Sequence, residues 1–134
     1  MRPLPLIAVA LLASACSTLP PSRCDAGAQA LVEDALYFGL SIPGGGTVGE
    51  AQWQQFLRDE VTPRFPQGLS VVDAAGQWRG NDGSVVREPS RVLTLVHPDD
   101  AAHEAAIRAI VDAYRTRFAQ EAVMRLKQRT CASF

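Results

Sequence analysis

The sequence predicts an α+β domain in which a four-stranded antiparallel sheet carries two helices on one face. Its 134 residues are 47% apolar and 20% charged, with a formal net charge of −1, a composition typical of one globular domain. Four segments show the two-residue apolar alternation of a strand, and two show the helical period. Because they follow in the order strand, helix, strand, strand, helix, strand, we predict a ferredoxin-like βαββαβ sandwich.

The first strand is predicted over residues 36–42, and the first helix follows it. Apolar residues alternate along the strand, and Pro43 followed by three glycines ends it. Thr47 and Glu50 have the spacing of a capping box, which starts a helix, and Pro63 is expected to end the regular helix. The apolar stripe that we expect to face the core consists of Trp53, Phe56, Leu57, Val61 and Phe65.

The second and third strands are predicted to form a hairpin. The second strand covers residues 69–78, and the Asn-Asp-Gly sequence at 81–83 is a strong turn signal. The third strand starts at Val85 and ends in the apolar run 92–96. Within it, Glu-Pro-Ser at 88–90 predicts a bulge or an edge kink, because proline has no N–H for the strand ladder.

The second helix and the last strand complete the predicted sandwich. The sequence His-Pro-Asp-Asp at 97–100 opens the helix with an aspartate as N-cap. The core stripe of this helix consists of Ile107, Ile110, Val111, Tyr114 and Phe118. The last strand is predicted over 122–130, where apolar residues alternate with cations. We expect the apolar residues to face the helices and the cations to face away, with Met124 and Leu126 inward and Arg125, Lys127 and Arg129 outward.

The three cysteines predict one disulfide and a different role for the remaining cysteine. Right-handed crossovers place the first strand between the third and the fourth, so its start lies beside the end of the fourth. Cys24 precedes the first strand and Cys131 follows the fourth, so we predict a disulfide between them. Two free thiols are the alternative. Neither cysteine has a partner at metal-ligand spacing, which disfavours a metal site.

Residues 1–15 are predicted to be a signal peptide. Arg2 supplies a positive charge, residues 4–12 are mostly apolar, and small residues precede Cys16. The apolar run is too short for a permanent membrane span, which needs about 20 residues. Two cleavage interpretations compete at the bond before Cys16: an ordinary signal-peptidase cut, and a lipoprotein cut that leaves this cysteine acylated. We favour lipidation of Cys16.

Residues 16–32 are predicted to be a lipid-anchored tether, and residues 33–134 a single α+β domain. The sequence after Cys16 is polar and contains two prolines, which suits a tether. In lipoproteins, an aspartate directly after the lipidated cysteine resembles an inner-membrane retention signal. This chain has Ser17 at that position. We therefore expect an outer-membrane lipoprotein that faces the periplasm and is held to the membrane by its lipid. A soluble periplasmic or secreted protein is the alternative.

The sheet face without helices is predicted to have an apolar centre and a cationic edge. It is expected to carry the cations of the last strand together with Tyr37, Ser41, Val92, Thr94 and Val96. Such faces often pair with a second subunit or cover a ligand, so a homodimer is one expected assembly. Protection of an edge strand is the alternative explanation of the cations. An isoelectric point near 6.1 argues against nucleic acid as a partner.

The residues able to carry chemistry predict a ligand site without a metal or a cofactor. Glycines 44–46 lack the lysine and the hydroxyl residue of a P-loop. His97 and His103 are the only histidines and have no companion at metal-ligand spacing, so we expect capping or surface roles. Near the hairpin, an arginine–carboxylate pair beside a tryptophan can hold a loop or an anionic ligand. The candidate ligand-binding residues are Tyr37, Arg64, Trp78, Glu88, Tyr114 and Arg117.

Several short segments together resemble one known family. They are Leu-Tyr-Phe-Gly-Leu at 36–40, Val-Thr-Pro-Arg-Phe-Pro at 61–66, Gly-Gln-Trp-Arg at 76–79, Arg-Glu-Pro-Ser at 87–90 and Tyr-x-x-Arg-Phe-x-Gln at 114–120. Over about residues 33–127 the chain is similar to the bacterial secreted or lipoprotein family called domain of unknown function 3574. The resemblance implies a small envelope protein, and it supplies no activity, substrate, cofactor or catalytic residue.

We expect a lipid-anchored periplasmic module that is not an enzyme and that binds an envelope partner or a small ligand through its sheet face. One alternative is a small dimeric enzyme of the ferredoxin-like barrel kind that acts on a small molecule. Another is a structural envelope protein. An enzyme is expected to have a concave pocket with a perturbed ionisable group, and a binding module is expected to have a broad exposed patch.

Overall fold

The order of the elements confirms the predicted α+β sandwich. The computed structural model describes residues 24–134. Along the chain the elements are β1 (Gln29–Gly39), α1 (Glu50–Phe56) with a π-helical turn (Leu57–Val61), β2 (Ser70–Arg79), β3 (Val85–His97), α2 (Ala101–Phe118) and β4 (Met124–Ala132). The sheet has the strand order β2-β3-β1-β4, and every neighbouring pair is antiparallel.

The core lies between the helices and one face of the sheet, which we call the helix face; the other side is the open face. On β1 the alternation buries Leu36 and Phe38 on the helix face and turns Tyr37 to the open face. The ring centroids of Phe38 and Tyr114 are 4.6 Å apart in an edge-to-face contact. Burial of each such side chain stabilises the fold by about 1.5–3 kcal/mol. The buried aromatic side chains that contact one another are Phe38, Trp53, Phe56, Tyr114 and Phe118. Phe65 is also buried, beside the two histidine rings.

β1 starts earlier than predicted. Its first residue is Gln29, so residues 29–32 belong to the sheet and not to the predicted tether. The buried positions of the alternation continue back through Asp34 to Val32. Asp34 places a charge where the alternating pattern requires an apolar residue. The start of the strand therefore cannot be recognised from the pattern alone.

α1 starts by a different capping arrangement from the predicted one. Gly49 is the N-cap residue, and its backbone N–H donates to the Oε1 atom of Gln52 at 3.0 Å. The predicted box between Thr47 and Glu50 is therefore wrong. Thr47 instead forms an isolated bridge with Ser41, which closes the glycine-rich turn between β1 and α1.

β3 is continuous, and the bulge predicted at residues 88–90 is absent. β2 pairs with β3 without an extra residue, with Pro89 opposite Ala75. The carbonyl of Pro89 accepts from the N–H of Leu40 at 3.0 Å. Because the N–H and C=O of one strand residue point to the same side, the missing N–H of Pro89 belongs to the β1 side and costs β2 no hydrogen bond.

β4 has the opposite facing from the predicted one. Arg125 lies opposite Leu36 on the helix face, and the other two cations of the strand share its phase. Met124 and Leu126 lie on the open face, where they are 54% and 53% exposed. The prediction that the apolar residues of this strand face the helices is therefore wrong. A shift of one residue in the alternation reverses both faces of a strand.

A buried carboxylate explains this phase. Asp34 is fully buried on the helix face of β1. Its Oδ1 atom accepts from Nε of Arg125 at 2.6 Å, and its Oδ2 atom accepts from Nη2 of Arg125 at 2.8 Å and lies 2.9 Å from Nε2 of His97. Arg125 also donates to Glu104 of α2 at 2.7 Å. A buried carboxylate is costly unless it is paired, so Arg125 has to face inward.

The two histidines differ in their surroundings. The expectation of a capping or surface role is wrong for His97, which is buried, with Nδ1 lying 2.7 Å from the carbonyl oxygen of Pro98. The His103 ring stacks on it, with centroids 5.1 Å apart. At the start of α2, the Asp100 side chain accepts from the N–H of His103 at 2.9 Å, which confirms the predicted aspartate N-cap.

The predicted disulfide is confirmed. Cys24 and Cys131 are bonded, with their Cα atoms 5.5 Å apart, at the rim where β1 starts and β4 ends. The predicted signal peptide at 1–15, the lipidation of Cys16 and the first part of the predicted tether lie outside the described residues. Within residues 24–134, neither helix combines the length and the apolar character that a membrane span requires.

Replacing Asp34 tests the role of the buried carboxylate. Asp34→Asn is expected to lower the free energy of unfolding by about 3–5 kcal/mol at neutral pH, because Arg125 and His97 lose a buried charge partner. Urea denaturation followed by far-UV circular dichroism measures this change. Glu33→Gln is the matched control, because Glu33 is the adjacent carboxylate on β1 and its hydrogen bond to Gln128 is at the surface. Equal effects of the two substitutions would contradict the assignment.

The pairing of Asp34 also predicts that the free energy of unfolding depends on pH, and Asp34→Asn tests this dependence. Burial raises the pKa of Asp34, but hydrogen bonds from Arg125 and His97, together with their charges, outweigh burial and hold this pKa below its ordinary value. The carboxylate therefore stabilises the fold above about pH 4, and this contribution is lost as the pH falls through the lower folded pKa. We expect the unfolding free energy of Asp34→Asn to fall less steeply in acid than that of the wild type. Parallel pH profiles would be inconsistent with this role of Asp34.

Candidate functional site

A cleft of about 220 Å³ lies on the open face, where β1 ends. Its lining includes three small residues from three adjacent strands, Gly39, Ser90 and Gly76. Because these side chains are short, the sheet surface is low there. Larger side chains and the connection from α2 to β4 form the remaining walls, with Tyr37, Trp78, Met124, Gln120 and Ala122 among them.

A second cavity continues the cleft toward the β2–β3 turn. It measures about 190 Å³ and shares Trp78, Glu88 and Gln120 with the first. Each cavity is smaller than the roughly 300–1,000 Å³ of a pocket for a drug-sized ligand. The pair therefore suits a small molecule that extends past Trp78 from one cavity into the other.

The carboxylate of Glu88 is the central polar group of the cleft. Its Oε2 atom accepts from the backbone N–H of Ser41 at 2.8 Å. Its Oε1 atom lies directly over Gly39. It is so close that a Cβ added at position 39 would be only 2.4 Å from it. Among the described residues no donor reaches Oε1. Glu88 thus presents one carboxylate oxygen that a ligand can use as an acceptor.

Side chains from α2 and its C-terminal end hold the backbone beneath Glu88. The Tyr114 hydroxyl donates to the Gly39 carbonyl at 2.8 Å, and the Gln120 amide donates to the Ser41 carbonyl at 2.7 Å. Burial, with a smaller effect of the Glu88 charge, raises the pKa of Tyr114 well above its ordinary value. Tyr114 therefore remains a neutral donor and fixes the position of Gly39 from the helix face.

The cleft has acidic character. Among the described residues that line it, none is lysine, arginine or histidine, and Glu88 is the one carboxylate. The register explains this, because the strand cations share the phase of the helix face. These cations are Arg79, Arg87, Arg91, Arg125, Lys127 and Arg129.

A larger depression elsewhere is not the better candidate. It is shallow, measures about 570 Å³ and is lined mostly by charged residues of β4, of α2 and of the two positions before α2. Its charges already pair with one another, since Lys127 lies 3.2 Å from both Asp99 and Glu104. Within residues 24–134, no group of three or more histidine, cysteine, aspartate or glutamate side chains has the arrangement of a metal site.

Comparison with known proteins places most of the chain in one family. The model of the family described as "Protein of unknown function (DUF3574)" matches residues 33–134. This chain belongs to the DUF3574 family. The resemblance predicted from the short segments is confirmed at the level of the family. No curated protein matches the chain.

Solved structures share the fold of this DUF3574 chain at low sequence identity. A phage SAM lyase in complex with S-methyl-5′-thioadenosine is 17% identical with a TM-score of 0.59, and the match covers 84% of this chain and 95% of the lyase. CutA from Synechococcus elongatus is 12% identical with a TM-score of 0.51, over 78% of this chain and 80% of CutA. At these identities the likeness shows the fold alone.

The structure divides the six candidate ligand residues of the DUF3574 chain into three groups. Tyr37, Trp78 and Glu88 line the cleft together, as one site. Tyr114 lies in the core beneath the cleft and contacts it through the Gly39 carbonyl.

The remaining two candidates lie at the helices. Arg64 donates to Glu60 at 3.0 Å, and Arg117 donates to the same carboxylate at 3.1 Å while its guanidinium lies 5.7 Å from the Phe56 ring centroid. Arg64 therefore does not form the arginine–carboxylate pair beside a tryptophan that the sequence suggested, because its partner is Glu60, one helical turn away. The two arginines therefore supply no cation to the cleft, and an anionic ligand would need one.

Seven lining residues of the DUF3574 cleft were not among the candidates, and Gly39, Gly76 and Met124 are the most informative of them. Gly39 and Gly76 stand inside strand patterns, and an isolated strand glycine is a signal of close approach by another group. At Gly39 that group is the Glu88 carboxylate. Met124 was missed because the phase of β4 was predicted in reverse.

Gly39→Ala tests whether the close approach positions Glu88. The added Cβ is expected to displace the carboxylate from Ser41 and to lower the unfolding free energy by about 1.5–3 kcal/mol, the contribution of one hydrogen bond to a charged group. Urea denaturation and a crystal structure of the variant measure both effects. Gly76→Ala is the matched control, because its Cβ would meet Ser90 Oγ at an ordinary 3.4 Å. A Gly39→Ala structure with the bond from Ser41 to Glu88 intact would refute the assignment.

Proposed function

We propose that this chain is a binding module of the bacterial cell envelope that takes a small uncharged or cationic organic molecule in the open-face cleft. The observation that carries the proposal is the Glu88 carboxylate, whose Oε2 atom is fixed by Ser41 while Oε1 stays free between apolar walls. Among the described residues that line the cleft, none is cationic. Such a site supplies an acceptor for the hydroxyl or N–H groups of a ligand.

The walls of the cleft narrow the class of ligand further. Trp78 and Tyr37 offer aromatic surface to a flat ring or to a cationic centre. The hydroxyl of Ser90 adds a small polar contact at the floor. A phosphate or carboxylate group would be repelled by Glu88, because no described residue of the lining is a cation that could compensate. The expected class is therefore a nucleoside-like or amine-bearing molecule, and not a nucleotide.

Ligands of two structures with this fold fall in that class and supply the probes. The phage SAM lyase is in complex with S-methyl-5′-thioadenosine, which carries a flat base and two ribose hydroxyls and no phosphate. The Synechococcus elongatus CutA is complexed with Bis-Tris, an amine with several hydroxyls. We propose binding and not catalysis, because no histidine, cysteine or lysine accompanies Glu88 among the described residues of the cleft.

Isothermal titration calorimetry with S-methyl-5′-thioadenosine, and with Bis-Tris, tests the site. Glu88→Gln is expected to weaken binding by about 10- to 100-fold, since it removes the charge from an acceptor while leaving its shape. Glu33→Gln lies toward the other end of the same face and is expected to leave the affinity unchanged. Absence of heat from both probes at about 10 mM, or equal binding by the two variants, would exclude this ligand class or this site.

The envelope location is proposed from the N-terminal sequence and the disulfide. Small residues before Cys16 after an apolar run favour a lipoprotein cut. The Cys24–Cys131 bond accords with an oxidising compartment such as the periplasm. We propose that lipid on Cys16 holds the module at the outer membrane, facing the periplasm.

Native mass spectrometry of the protein isolated from its own envelope tests the location. The expected mass is that of a chain beginning at an acylated Cys16, together with any retained small molecule. Cys16→Ser is expected to remove the lipid and to move the protein to the soluble fraction. A wild-type chain that begins at an unmodified Cys16 would rule out the lipid anchor and leave the cleft proposal untouched.

A further inference from the structure

The open face carries a continuous apolar row that crosses all four strands. By register, Val72 of β2 lies opposite Val92 of β3, Val92 opposite Tyr37 of β1, and Tyr37 opposite Met124 of β4. Leu126 extends the row by one pair along the edge strand, and it is half exposed to solvent, as Val72 and Met124 also are. Exposed apolar rows of this extent mark interaction surfaces.

The same face is nearly free of charge. At outward positions the four strands carry two carboxylates, Glu33 and Glu88, and among the described strand residues every lysine and arginine has the phase of the helix face. Each carboxylate already accepts a hydrogen bond within the chain, from Gln128 at 2.9 Å and from Ser41 at 2.8 Å. The face therefore offers no cation to an anionic lipid headgroup or an acidic partner.

The size of the face matches an interface between two copies. Strands about 4.8 Å apart and about nine residues long at about 3.3 Å each make a surface of roughly 20 Å by 30 Å. That is roughly 600 Å² before the relief of the side chains is counted, close to the roughly 800 Å² that each partner contributes to a standard interface. A loosely bound small molecule covers only part of this area.

We infer that a second copy of this chain covers the open face, sheet against sheet, with the two apolar rows in contact. In a two-fold interface each copy presents the same surface. By register Glu33 and Glu88 lie on opposite sides of the apolar row, so neither carboxylate stands within the row itself. Stacked sheets lie about 10 Å apart, which places the partner's sheet over the mouth of the cleft. The closure of the cleft rests on the function proposed above; the pairing of the faces does not.

Sedimentation equilibrium of the full chain purified from its own cells, over about 1–100 µM and without ligand, tests the pairing. The wild type is expected to be a dimer that Leu126→Glu weakens by at least about 100-fold, because the two-fold axis buries the new charge twice. Val85→Glu is the matched control, since Val85 is 50% exposed, compared with 53% for Leu126, but has the phase of the helix face. It is expected to leave the dimer intact.

Oxidation of Met124 by peroxide supplies a readout that needs no variant. In the dimer we expect its rate to fall about 10-fold between the dilute and the concentrated sample, because the partner covers the half-exposed thioether. A monomer at every concentration overturns the inference, as does a dimer in which Leu126→Glu folds and still pairs. If Leu126→Glu fails to fold, an unchanged Met124 rate in the wild-type dimer overturns it. Calorimetry with S-methyl-5′-thioadenosine is scored separately, so failure of the ligand site and failure of the pairing are distinguishable.

Discussion

The arrangement of this domain depends on one buried charge. Asp34 occupies a helix-face position of the central strand β1, where an apolar side chain would ordinarily lie. A carboxylate in that place requires compensation, and Arg125 on β4 provides two hydrogen bonds to it. Because a strand alternates with a period of two, this single pairing turns Met124 and Leu126 to the open face. The buried carboxylate of Asp34 thus accounts for the apolar side chains of β4 on the open face.

The compensation extends beyond one ion pair and ties four elements together. His97 of β3 and Arg125 of β4 both contact Asp34, and Arg125 continues to Glu104 of α2. Edge strand β4 contributes charged side chains to the helix face in place of apolar ones, so these contacts hold it against the helix. Among the described strand residues the open face consequently carries no cation, and this is the basis on which we propose a neutral or positively charged ligand for the cleft around Glu88.

Short-range patterns in the sequence were sufficient for the element order, the Asp100 cap and, with cysteine counting, the Cys24–Cys131 bond. Tyr37, Trp78 and Glu88 were among the candidates, and the structure brings them together because they sit on neighbouring strands. The phase of β4 could not be predicted, because it is decided by a partner 91 residues away in the sequence. The partner of Arg64 was overlooked although Glu60 is only one turn away, where a local ion pair is the simplest expectation.

The sulfur bridge at the rim of the sheet also decides how the domain responds to mechanical load. A force applied to the chain before Cys24 acts on the fold at two points at once, the start of β1 and the end of β4. The reason is that the disulfide transmits part of the force to Cys131. β1 cannot be peeled away from its own beginning, as an unbridged terminal strand can. Shearing two adjacent strands together requires many hydrogen bonds to break at the same moment, so the bridge makes the domain resistant to traction from its N-terminal side.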